Sequence, residues 1–400
     1  MIKILSLTAL LWTLLPSAAA AQLLPSEPVR LFDGRVRLGG EISATIGAKD
    51  DEAFFNYTDY ERNTLRMFRI ALSGVWQPAA RVAFLGEVRS EDLEQPGAYA
   101  AYIRVRPWPN VPLDIQAGRI PPVFGAFGRR RYQSDQILIG YPLAYQYLTS
   151  IRADALPATA DDLLRMRGRG WRSSFPVGSP EPTPGLPLIS AFRWDTGVEA
   201  TWSTPLFDTA LSITSGTLGN PRLRDDNGGK QVAGRMAGRP ATGLVIGGSA
   251  ARGAWISDSV PHAAGSHAQT TLGADIEYSR DHWLVRSELV WSRWDVPFWT
   301  SPAEGSTIGA LARWIEGRYR LTPRIFLAGR ADWLSFSTLT GDMFGETPVA
   351  WEAPVRRLEL GAGYSVQRNL VVRAGVQMNR RDGGRAEKRT FSSTQVVWWF

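Results

Sequence analysis

The chain has 400 residues, with 45 Lys and Arg against 38 Asp and Glu for a formal charge of +7, and it has no cysteine. The absence of thiols excludes a disulfide framework and thiolate chemistry. Its basic residues are scattered rather than gathered in a tail, and 39 Gly with 16 Trp among frequent turn clusters point away from a helical or disordered chain and toward β-structure.

Residues 1–21, "MIKILSLTALLWTLLPSAAAA", place Lys3 before an apolar run from Ile4 to Leu15, then Pro16 and small residues. That is the pattern of a secretory signal peptide cut after Ala21 or one residue earlier, and the run falls short of the roughly 20 apolar residues of a membrane helix. Lys3 is the only charge in it, so the mature chain carries one positive charge fewer. Nucleic acid is not an expected partner for an exported chain. Residues 22–34 form an N-terminal periplasmic segment.

From Arg35 onward the dominant signal is alternation. Val36, Leu38, Ile42, Ala44 and Ile46 oppose Arg35, Arg37, Glu41, Ser43 and Thr45. Tyr99, Ala101, Ile103 and Val105 oppose Tyr102, Arg104 and Arg106; Phe192, Trp194, Val198, Ala200 and Trp202 oppose Arg193, Asp195, Glu199 and Thr201. The pattern returns in 270–279, in 283–293, where Leu289 and Trp291 oppose Arg286 and Glu288, and in 370–379, where Val372, Ala374 and Val376 oppose Arg373 and Gln377. Period two with one continuous apolar face is the mark of a half-buried strand. Segment 306–320 puts charge on both faces, Arg313 against Glu316, Arg318 and Arg320, and leaves its lipid side open.

Seven short turns, such as 77–80 and 279–282, alternate with eight long loops, such as 48–62 and 336–354. Fifteen connections imply 16 strands, and loops sorted by length onto two ends imply a transmembrane antiparallel β-barrel over 35–400. Closure pairs every backbone group in the membrane without disulfides. Trp76, Trp108, Trp202, Trp255, Trp294, Trp299 and Trp351 fall near predicted strand ends, where an interfacial girdle is expected.

The connection 121–188 is far longer than the rest, and a loop of that length needs a task. It is expected either to fold inward as a constriction or to pack on the rim. It opens "IPPVFGAFGRRRY", contains a helical turn started by Thr159 and stopped near Gly168, and carries eight Arg against five acids. Arg129, Arg130, Arg131, Arg165, Arg167 and Arg169 are the constriction candidates. Arg104, Arg106, Arg193, Arg286, Arg373, Glu199 and Glu288 are candidates for the lumen wall. Rings of side-chain charge select ions at close range, and the arginine excess predicts a weak anion preference.

The mature chain resembles Gram-negative outer-membrane porins of about 16 strands. "VPLDIQAGRIPPVFGAFG" and "DDNGGKQVAGRMAGRP" are similar to stretches of the phosphate-selective porin group, although Arg stands here where that group has lysines. Val396, Trp398 and Phe400, at alternate positions up to the last residue, are similar to the outer-membrane assembly signal. The resemblance implies passive diffusion of small hydrophilic solutes, a homotrimer, outer-membrane lipid as solvent, and insertion by the assembly machinery of that membrane. The competing reading is a barrel that serves as scaffold or sheath for a partner, without an open pore. His262, His267 and His282 lie in loops and turns without a catalytic motif, so neither enzyme activity, a metal nor a cofactor is expected.

Overall fold

A computed structural model describes residues 28–50, 55–56, 63–129, 132–261, 267–298, 306–345, 347–383 and 387–400, the side chain of residue 129 excepted. The expected signal peptide lies outside them. Sixteen strands form the wall: β1 Val36–Gly47, β2 Phe68–Ala79, β3 Val82–Glu91, β4 Gly97–Val105, β5 Leu113–Ile120, β6 Asp195–Ser203, β7 Phe207–Thr214 and β8 Gln231–Ala241; then β9 Leu244–Ala254, β10 Ala268–Arg280, β11 Trp283–Val296, β12 Ser306–Arg320, β13 Ile325–Phe336, β14 Val355–Gln367, β15 Leu370–Arg381 and β16 Glu387–Trp399. Every neighbouring pair is antiparallel, and β1 pairs with both β2 and β16, which closes the ring.

The closing seam runs from Gly47↔Ser393 to Glu41↔Trp399. Phe400 continues it, because Phe400 and Gly40 exchange backbone hydrogen bonds of 3.0 and 3.1 Å. The Phe400 ring lies where a Cβ at position 40 would stand, so glycine is needed there. Below that point a short strand, Val29–Leu31, folds back on Val36–Leu38 and occupies the edge of β1 that β16 leaves free.

Alternation sets two faces. Outward stand exposed residues such as Leu72, Val198, Leu211, Met236, Leu272, Leu289, Ile315 and Leu360. Inward stand buried polar residues such as Glu41, Arg69, Glu87, Glu199, Asp275, Glu288, Arg330, Glu359 and Arg373. This inverts a soluble protein and suits lipid outside. It also resolves segment 306–320: Arg313 faces out, while Trp314, Glu316 and Arg318 face in.

At the end bearing the short turns, outward aromatics form a girdle. Trp76 stacks on Phe84 at 5.2 Å, Trp283 meets Tyr319 at 4.6 Å and Trp398 meets Phe400 at 5.2 Å. Three of the expected girdle tryptophans belong elsewhere. Trp255, Trp294 and Trp351 are fully buried, because Trp294 shares the inward parity of Glu288 on β11 and the other two sit in connections folded over the barrel mouth. Trp294 and Trp351 pack edge-on at 6.0 Å. Trp299 lies outside the described residues.

A second departure comes from a bulge. Between Glu87 and Val88 the β3–β4 register slips by one, which turns Tyr99 inward against the expected parity. Its ring then takes the Arg89 guanidinium at 3.3 Å and packs against Trp194 at 5.2 Å.

Candidate functional site

The segment from Pro121 to Trp194 does not lie on the rim. It enters the barrel and fills it, and the inward charges of the wall bind its main chain. Glu41 accepts from the N–H groups of Gln133 and Ser134, both at 2.8 Å. Glu359 accepts from Gly140 N–H at 2.9 Å, and Asp332 from Leu143 N–H at 3.1 Å. Arg330 donates to Gly140 O at 2.8 Å, and Arg357 to Tyr141 O at 3.0 Å. Arg373 donates to the carbonyls of Gln133 and Leu138. A non-repetitive strand of buried backbone must have its N–H and C=O groups satisfied. Here acids and arginines alternate on the wall to do it.

Glu288 anchors the entry. It accepts from Ala126 N–H at 3.1 Å, from the Tyr145 hydroxyl at 2.8 Å and from Trp314 Nε1 at 3.2 Å. Gly125 sits beside it at φ +63°, and any side chain would strike Glu288 and Tyr145, so the Phe-Gly step is a steric requirement. Arg330 is the centre of a buried network, 3.1 Å from Asp332, 2.7 Å from Glu359 and 3.5 Å from Glu316.

Inside the filled barrel are a one-turn helix, α1 Leu143–Gln146, and a second helix, α2 Ala160–Arg165. Thr159 caps α2 in a reciprocal capping box with Asp162, and Gly168 follows at φ +70°, as the sequence suggests. Helix α2 lies toward the long-loop end, where Asp161 accepts from Met343 N–H at 2.9 Å. There Glu352 latches the segment, accepting from Ser150 N–H at 2.8 Å and from Gly168 N–H. Burial pushes the Glu352 carboxyl above its ordinary range.

These placements sort the candidates. Arg165 and Arg169 are exposed toward the long-loop end, Arg165 pairing with Asp162 at 3.3 Å. Arg167 is buried with its guanidinium 5.6 Å from the Phe344 ring. Arg130, Arg131 and the side chain of Arg129 lie outside the described residues. Glu199, Glu288, Arg286, Arg373 and Arg104 point into the lumen from strands; Arg106 does so from the turn after β4 and pairs with Asp114 at 2.8 Å. Arg193 precedes β6 and lines a cavity of about 280 Å³ with Asp154 and Arg222. Arg330 and Arg357 hold the segment most firmly. Parity places Arg330 inward, but the depth of the insertion that makes it central has no local signature.

What remains part-exposed lies toward the two ends of the barrel. A cavity of about 590 Å³ at the long-loop end is lined by Arg89 and Arg119, by Glu91 and Glu94, and by Tyr99 and Phe192. Toward the short-turn end the part-exposed inward cations are Arg37, Arg104, Arg106, Arg239, Arg286 and Arg318, against Asp208 and Glu277. Between the two zones stands an apolar cluster of Val75, Ala83, Leu85, Tyr99, Ala100, Tyr102, Ile120 and Trp194.

No protein-family model matches the chain, and no curated protein does. Solved structures do match. In-vitro folded OmpT, an outer membrane protein of Vibrio cholerae, superposes with a TM-score of 0.55 at 9% identity over 95% of this chain and 100% of its own. An anion-selective porin from Comamonas acidovorans gives 0.53 at 10% identity over 91% and 99%. The outer membrane channel DcaP of Acinetobacter baumannii gives 0.52 at 10% identity over 91% and 97%. At these identities the likeness is one of fold: a 16-stranded barrel of the outer-membrane porin type.

Proposed function

We propose that the chain is an outer-membrane channel for passive diffusion of small hydrophilic solutes, narrowed by its inserted segment and weakly selective for anions. The observation that carries this is the group of part-exposed inward cations at the short-turn end, Arg37, Arg104, Arg106, Arg239, Arg286 and Arg318, against Asp208 and Glu277. In a low-dielectric wall, cations without full compensation attract anions at close range. Trp194, Tyr99 and Tyr102 stand between the two ends in one buried apolar cluster. The likeness in fold to an anion-selective porin supports the reading. Phosphate is one candidate anion among several. Catalysis plays no part in the proposal.

The inserted segment bound across the barrel interior also favours a second reading, a sealed barrel that serves as scaffold for a partner. Planar-bilayer recording separates the two. Small steps with an anion-favouring reversal potential in a chloride gradient, larger in Trp194→Ala, support the channel. Silence from both proteins supports the scaffold, and a cation-favouring potential would overturn the selectivity. Membrane location and trimer formation belong to the same proposal; a trimeric form is known for the OmpT of Vibrio cholerae.

A further inference from the structure

The mouth at the short-turn end gathers arginines from two parts of the wall. Arg37 faces in from β1, the short strand Val29–Leu31 sets Arg30 directly beside it, and Arg35 continues the same face before β1 begins. Arg104 faces in from β4, next to Ala83 of β3. Arg81 extends that pair, its carbonyl accepting from Arg106 N–H at 2.9 Å. Farther round the ring, Arg318 and Arg320 stand at alternate positions of β12, opposite Ala328 and Phe326, and Arg324 lies in the turn that follows. Arg37, Arg104 and Arg318 are part-exposed, and the others are exposed. Strand parity thus turns this charge toward the mouth and away from lipid.

The acids on the same inner face are engaged by other arginines. Asp114 takes Arg106 at 2.8 Å, Glu277 and Glu316 take Arg286 at 3.2 and 3.4 Å, and Asp208 takes Arg239. Among the described residues, none of the arginines named above forms an ion pair with a carboxylate. Asp33, Asp135 and Asp281 are exposed toward this end, too few to balance them. A recess lined by one sign of charge focuses its field on whatever approaches. The floor of the recess is apolar: Ile137 and Leu138 of the inserted segment pack on Leu284 and Ala328, with Phe326 beside them. The Arg318 guanidinium lies 5.9 Å from the Phe326 ring, so charge and apolar surface adjoin.

We propose that this mouth is a docking site for an acidic, extended segment of a periplasmic protein. It rests on the orientation of the barrel, short turns to the periplasm, and not on conduction, although it shares Arg37, Arg104 and Arg318 with the proposed anion path. Small anions meet the arginines one at a time, whereas a chain bearing several carboxylates meets them together, at a raised effective concentration after the first contact. Opposed charge also sets the register of such a complex. The chain's own leading residues do not supply the counter-charge, since residues 1–27 hold a single acid, Glu27. A second copy in the same membrane presents the same arginines at this level and is repelled.

The test uses the full-length protein in detergent micelles and a labelled peptide of alternating Glu and Ser, read by fluorescence anisotropy. A peptide with Gln in place of Glu, and inorganic phosphate, are the comparisons. The Glu peptide should bind at least tenfold tighter than the Gln peptide, and phosphate at equal total charge should not displace it. Arg318→Ser/Arg320→Ser/Arg324→Ser should weaken binding at least tenfold, while Arg165→Ser/Arg169→Ser at the other end leaves it unchanged. Arg320→Ser/Arg324→Ser serves if the triple variant fails to form heat-resistant barrel. Ser365 faces in near the same mouth, opposite Val371, so in Ser365→Cys the Glu peptide should slow thiol labelling and the Gln peptide should not. Equal binding of both peptides, unslowed labelling, or unchanged binding in the arginine variants would overturn the proposal. Displacement by phosphate would overturn it too, while leaving the anion channel standing.

Discussion

The two sides of the barrel are built differently. Strands β10–β16 have 12–15 residues, whereas β4–β7 have eight or nine. The tall side carries the exposed cations Arg293, Arg356, Arg380 and Lys388 outside and, inside, Glu288, Arg330, Asp332, Arg357, Glu359 and Arg373, which grip the inserted segment by its backbone. Outside, the low side exposes Val198, Leu211 and Ile213 and carries Arg119 near its upper edge, and inside it meets the segment through the Tyr99–Trp194 cluster. An eight-residue strand at about 40° tilt stands only about 20 Å high, short of the roughly 25 Å apolar band. The low side is thus the face on which the proposed trimer would pack, with the tall side left to lipid.

The seam where the sides meet is the most sensitive place to disturb this arrangement. Phe400 extends β16 by two hydrogen bonds to Gly40 and completes the outward row of Val396 and Trp398. Deleting it should remove most of the protein from the outer-membrane fraction, with unchanged conductance of the molecules that do insert. Immunoblots showing normal membrane levels would detach Phe400 from assembly.

A smaller effect is expected on the low side. Val198→Arg with Leu211→Arg puts two cations on its outer face, where a charge near the midplane costs about 2–4 kcal/mol against lipid and more against a packed partner. Cross-linking and native mass spectrometry should show the trimer reduced to monomers with the barrel intact. A persisting trimer would place its interface on another part of the wall.

Much of this organisation is legible in the sequence. Alternation gives the strands, loop lengths give their direction, and parity places Arg286, Arg373, Glu199 and Glu288 inward. The same parity, continued past Met378, exposes Arg380. What parity cannot carry is a slip in register, as at Tyr99, or the fate of a segment outside the strands. Alternation puts Arg193 on the lumen wall and the arginine excess puts Arg165 in the constriction, yet the first precedes β6 and the second is exposed on a capped helix toward the long-loop end. The path of Pro121–Trp194 depends on partners more than a hundred residues away, such as Glu288 and Glu359, and no local pattern encodes such pairing.

The contrast between grip by charge and grip by apolar packing has a direct test inside the barrel. Arg330→Met removes the cation that compensates Glu316, Asp332 and Glu359 and supports Gly140 O. Breaking a buried network while leaving its acids costs about 3–5 kcal/mol. Leu85→Ala, on the low side, costs about 2–5 kcal/mol through lost burial and a cavity, so stability alone does not tell them apart. Location does. The chain has no native cysteine, so Ile137→Cys, buried beside Leu138, Leu284 and Ala328, reports opening of the segment by its rate of thiol labelling. Arg330→Met should raise that rate at least tenfold, and Leu85→Ala should leave it near the parent value, because its disturbance stays at Tyr102 and Trp194. Equal labelling in both would mean that the segment moves as one rigid plug held jointly by the two sides, and the division of labour between charge and packing would fall.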